Sequence, residues 1–66
     1  MNLYLIRFFD GTFQSSPSGR VTNPELAACW RVVEAQKALE VAARMGGMAV
    51  LYQRDENQRL VPVVIQ

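Results

Sequence analysis

Enzymes that move protons near neutral pH usually do so with histidine, a tuned carboxylate or an activated thiol. This sequence has no histidine and a single cysteine, Cys29. A nucleophilic Cys29 would need an activating base or an electropositive site. Set between alanines and Trp30, it reads as a small buried or half-buried hydrophobe. The carboxylates are Asp10, Glu25, Glu34, Glu40, Asp55 and Glu56. Asp10 and Asp55-Glu56 fall in turns, and the other three fall on a predicted helix, where Glu40 can pair with Arg44 at i,i+4. All six read as solvated surface. One thiol and no imidazole cannot build a metal site of the usual ligand count. Gly46-Gly47 follows a helix and precedes a strand, the reverse of a phosphate-binding loop, and reads as a helix stop. The expectation is a non-enzymatic protein with no metal and no cofactor.

The elements that would carry these residues are short. Residues 3–9, LYLIRFF, read as a strand, and Asp10-Gly11 as the two-residue turn of a hairpin. That register sets Phe9 opposite Thr12, Phe8 opposite Phe13 and Arg7 opposite Gln14. One face then carries Tyr4, Ile6, Phe8 and Phe13, and is the better core face. The other carries Leu3, Leu5, Arg7 and Phe9, with Thr12 and Gln14. Residues 15–23, SSPSGRVTN, read as a loop. Asn23 as N-cap, Pro24 at the first helical position and Glu25 in the first turn start a helix predicted over residues 24–45. Arg44 suits its last turn. A break near Val32-Val33, or a strand at Cys29–Val33, is the alternative. Residues 48–54 and 59–65 read as two further strands joined by a DENQ turn, and Pro62 places the last one at a sheet edge or a bend. The fold class expected is α+β: a small ββαββ domain spanning residues 1–66, with an antiparallel four-stranded sheet and one helix packed on one face.

At helical spacing Ala28, Val32, Ala35, Leu39 and Ala42, with Ala38 at the edge, form one apolar stripe, assigned to the core. Leu26, Trp30, Val33 and Val41, with Lys37 in the gap, form a second stripe roughly opposite. One sheet cannot bury both. Three readings of the second stripe stand open. The 15–23 loop folds back over it through Pro17 and Val21, a second copy covers it as in an isologous dimer, or another protein docks there, since Trp and Arg are enriched at binding hot spots. Leu26, Trp30, Val33, Lys37 and Val41 are therefore the candidate partner or dimer interface. Leu3, Leu5, Arg7 and Phe9, on the uncovered sheet face, are the secondary one.

At 66 residues the chain is limited to one domain, and such a domain buries only about 60% of the surface its unfolded chain exposes. With no disulfide or metal to staple it, oligomerisation is the staple left. Seven basic and six acidic residues give a net charge of +1, unlike a basic nucleic-acid patch. The N-terminal apolar run is broken by Arg7 and is not a signal peptide. No apolar run approaches the roughly 20 residues that span a bilayer. A free cysteine and no targeting segment point to the cytoplasm.

In size and element order the chain resembles small accessory proteins of phages and other mobile elements, including some anti-CRISPR inhibitors, a resemblance of format with no shared motif. It implies a protein that occupies a surface on a larger host complex. The first expectation is a protein-interaction module of this inhibitor or accessory kind, homodimeric, in which Trp30→Ala weakens association and leaves the fold largely intact. The second is a nucleic-acid-binding module that uses an open sheet face, with Arg7 and Phe9 on one alternation and Tyr52 and Arg54 on another.

Overall fold

A computed structural model describes residues 2–16 and 19–63. It is α+β, with one α-helix and a curled antiparallel sheet. The central strand is β1, Asn2–Arg7, and along its whole length it pairs with β5, Met48–Arg54, in the register Asn2 to Gln53 through Arg7 to Met48. β6, Leu60–Pro62, lies outside β5 at one edge, where Pro62 needs no ladder donor. The other side of β1 is shared. β2, Phe13–Gln14, pairs at Arg7, and β3, Arg20–Val21, pairs outside β2. At the opposite end of β1, Leu3 and Tyr4 pair with Arg31 and Trp30 of β4, Trp30–Arg31. The sheet therefore has six strands among the described residues, where four were expected. The two additions are β3, inside the predicted 15–23 loop, and β4, inside the predicted helix. Pro17 and residues 64–65 of the predicted last strand lie outside the described residues.

The first hairpin corrects the predicted register by one residue. Gly11 N–H donates to Phe8 C=O at 3.0 Å and Phe8 N–H to Thr12 C=O at 2.9 Å. The loop is thus three residues, Phe9-Asp10-Gly11, with only Gly11 at positive φ (84°). A two-residue type I′ turn needs positive φ at both centres, whereas a type I turn closed by one left-handed glycine needs it once. Asp10 Oδ1 reinforces the three-residue loop by accepting the Thr12 N–H at 3.0 Å. Arg7, not Phe8, now faces Phe13. A slip of one sends every later side chain to the other face. Phe13 joins Leu5, and Gln14 turns to the helix side.

The predicted helix is corrected as well. Asn23 Oδ1 does accept the Glu25 N–H at 3.0 Å, with Pro24 in the first turn, but this helix is one 3-10 turn, Pro24–Leu26. Ala27 is already extended. Ala28 N–H then donates to Gln14 C=O at 2.8 Å, and the chain runs into β4. A second 3-10 turn, Val32–Glu34, leads into α1, Ala35–Met45. The physical reason is on β1. β2 pairs it only at Arg7, so the backbone of Leu3 and Tyr4 would be an unpaired edge without β4. The β-branched and aromatic residues of CWRVV suit a strand better than a helix. α1 ends as predicted. Gly46 sits at φ 77°, and Gly46 and Gly47 donate to Ala43 C=O and Ala42 C=O at 3.4 and 2.8 Å, a Schellman closure.

Two clusters make the core, one on each sheet face. On the helix side, Ile6, Phe8 and Ala42 are buried, with Trp30, Val41, Met45 and Ala49 packed against them. The helix is rotated relative to the predicted stripe. Ala38 and Ala42 are buried and Val41 turns inward, while Val32 and Leu39 are exposed. On the other face Leu5, Phe13, Tyr52 and Leu60 are buried, with Leu3, Val21, Ala27 and Val50 around them. The Phe13 and Tyr52 rings meet edge to face at 5.9 Å. The sheet curls around this second cluster. Glu25 closes the curl by accepting the Leu60 N–H at 2.7 Å and Arg54 Nη1 at 3.1 Å.

Candidate functional site

The curl changes which residues can meet a partner. The sheet face expected to stay uncovered covers itself. Leu5 is fully buried and Leu3 half-buried, so of the secondary interface Arg7 and Phe9 alone stay exposed. Phe8, Phe13 and Tyr52 are buried too, so none of these three rings lies open on a sheet face. The predicted helical stripe is dispersed. Leu26 lies in the first 3-10 turn, Trp30 in β4 and Val33 in the second 3-10 turn, and only Lys37 and Val41 belong to α1. Leu26 (66%) and Val33 (82%) are exposed, and Val21 packs into the core instead of folding over them. Trp30 is half-buried against the helix-side cluster.

Two clefts flank the C-terminal end of α1, and they share no lining residue. The first, ≈ 280 Å³, lies between the hairpin tip, the helix stop and the start of β5. Phe8, Phe9, Met48 and Val50 line it with apolar surface, and Arg7 supplies a charge. Its shape depends on Gly47. A Cβ there would lie 2.9 Å from the Arg7 carbonyl oxygen and 3.0 Å from the Phe8 ring. Phe9 heads the three-residue loop and is fully exposed, and Met48 is 67% exposed. Beneath them Phe8 is fixed from outside by Arg20, whose guanidinium stacks 3.8 Å from the ring centroid and lies 3.7 Å from Asp10. The first cleft thus sets an exposed side chain, Phe9, beside a buried ring, Phe8, that packs against Arg20 and the helix-side cluster.

The second cleft, ≈ 300 Å³, is lined by Gln14, Trp30, Val41, Arg44 and Met45. Gln14 is the buried polar residue of the core. Its Nε2 donates to Met45 Sδ at 3.5 Å, while Gln14 Oε1 and Trp30 Nε1 are buried with no hydrogen-bond partner among the described residues. The Glu40–Arg44 pair expected from spacing does not form, and Arg44 joins no ion pair among the described residues.

Three carboxylates, Asp10, Glu25 and Glu34, each accept a backbone N–H. Asp10 is held below the usual carboxylate range by the Thr12 hydroxyl and backbone N–H. Glu25 is held low first by the Leu60 N–H and then by Arg54. Glu34 is held low first by the Arg31 N–H, which it accepts at 3.1 Å. Lowered values make weaker bases. Cys29, expected to be at least half-buried, is exposed. Among the described residues no three His, Cys, Asp or Glu side chains cluster as metal ligands, and no helix is long and apolar enough to cross a membrane.

No family model, curated protein or solved structure matches this chain. The geometry is therefore read from its own residues. Sequence reasoning placed Phe9 on the secondary interface and named Trp30 and Val41. It missed Met48 and Gln14. The signal for Gln14 was a glutamine directly after Phe13, readable as turned to the helix side only once the hairpin loop is counted as three residues.

Proposed function

We propose that this protein is a small non-enzymatic protein-interaction module whose contact surface is the first cleft and its Phe9 rim. The observation that carries it is Phe9, a fully exposed phenylalanine held at a tight turn beside exposed Met48. Large apolar side chains grouped at a preformed concavity mark interaction surfaces more than scattered ones do. Phe9 is presented at low entropic cost, because the turn beneath it is closed by two backbone hydrogen bonds and the Asp10 side chain. A second copy of the chain is the first partner in this reading, each Phe9 entering the other's cleft about a two-fold axis. The inhibitor or accessory role, on a larger host complex in the manner of phage and mobile-element proteins, rests on the resemblance of format alone.

The test is light scattering across a concentration series, with Phe9→Asp beside the wild type. The wild type is expected to rise in mass with concentration and the variant to stay monomeric with an unchanged circular dichroism spectrum. Identical masses at every concentration would remove the dimer, and the same pair of proteins would then be compared for capture of a partner from cells.

A further inference from the structure

We propose that the second cleft binds the C-terminal residue of a peptide: an amide, a carboxylate and an apolar side chain on one unit. The site lies apart from the Phe9 cleft and does not rest on the reading given to it.

Gln14 is only 5% exposed, yet among the described residues its Oε1 finds no donor and Trp30 Nε1 no acceptor. Each such orphan is costly to leave unpaired, and one in a native structure calls for an explanation. The two are opposite in sense, one acceptor and one donor, and both side chains line the same cleft. A ligand that answers both must present a donor and an acceptor within the span of this one cleft. A peptide amide does so through its N–H and C=O. The rest of the lining selects further. Val41 and Met45 offer apolar wall, and Arg44 offers a guanidinium free of ion pairs among the described residues. Guanidinium favours carboxylate. A carboxylate next to an amide and a side chain is the end of a peptide chain.

Neither orphan atom touches solvent in this structure. Entry therefore requires a side chain to swing aside, and Met45 is placed to do so. It is unbranched, and its thioether holds Gln14 through a 3.5 Å N–H···S contact, weaker than the bonds a ligand would make.

The probe is N-acetyl-alanyl-leucine, titrated into the full chain. Trp30 is the only tryptophan, so its emission reports on the cleft directly. A saturable change in emission is expected, and the methyl ester of the probe should bind about tenfold more weakly, the loss of one charge-assisted contact. Arg44→Gln, an exposed position, should erase the difference between acid and ester. Gln14→Met keeps the shape and removes the orphan acceptor. It should weaken binding by about tenfold, read by calorimetry, while raising the melting temperature. No saturable response in the wild type would overturn the proposal and leave a single buried water as the partner of both atoms. Equal affinity for acid and ester, or a Gln14→Met variant that binds as the wild type does, would overturn it as well.

Discussion

Residues 24–34 and 35–45 carry the same predicted helical period, yet only the second half is an α-helix. The second half, AQKALEVAARM, is made of strong helix formers and ends in glycine. The first half starts with a correct cap and then contains Cys29, Trp30, Val32 and Val33, whose χ1 freedom a helix restricts. What decides it is a partner far away in sequence. The edge of β1 at Leu3 and Tyr4 takes Trp30–Arg31 as a strand, and the Trp30 ring packs against Ile6, Phe8 and Ala42. One half is held by its own backbone pattern and the other by tertiary pairing. Periodicity alone cannot separate the two, because apolar residues at i and i+4 also share a face in many extended segments.

The largest effect is expected at Trp30. Trp30→Ala should cost about 3 kcal/mol in chemical denaturation, by removing packing from the helix-side cluster. A loss under about 1 kcal/mol would mean that 24–34 is not held by this ring, and would leave Trp30 to the association role expected from the sequence. Next comes the turn between α1 and β5. Gly47→Ala should cost about 2 kcal/mol, since the added Cβ meets the Arg7 carbonyl at 2.9 Å and backbone must shift. The melting curve would show it, and an unchanged midpoint would mean that the turn has slack.

A matched pair then sharpens the contrast. Ala43 is an exposed position inside α1, and Ala43→Gly should cost about 1 kcal/mol through helix propensity. Val33 is more than four-fifths exposed outside it, and Val33→Ala should stay within about 0.5 kcal/mol. Equal losses at the two would dissolve the distinction between the halves.

The smallest effect is electrostatic and belongs to the first half. Glu25 has a folded-state pKa below its ordinary 4.5 because it accepts from Leu60 and Arg54. A depressed carboxyl contributes stability above the unfolded value and loses it as pH falls through the folded one. Glu25→Gln should therefore melt slightly below the wild type at neutral pH. The gap should close as the pH drops from 4.5 through the lower, folded value. A gap that persists in acid would assign the effect to hydrogen bonding of the amide and not to charge.

How much was legible can be followed residue by residue. The β1 and β5 strands, the Gly46-Gly47 stop, the Asn23 cap and the edge position of Pro62 were all readable, because each depends on neighbours in sequence. The candidate interface was less so. Its core members Leu3 and Leu5 are claimed by a curl that no local pattern announces, and Phe9 survives as exposed because it sits in the turn and not in the strand.

By itself the chain determined an α+β class, its strong strands, a helix through Met45 and the absence of histidine or a second thiol from its chemistry. Tertiary structure alone decided three further things: the one-residue register that sends Phe13 to one face and Gln14 to the other, the conversion of Trp30–Arg31 into a strand, and the closure of the sheet through Glu25 and Leu60. The physical reason is common to all three. Turn glycine, unpaired strand edge and buried face each leave a local choice nearly balanced, and contacts between residues far apart in sequence settle it.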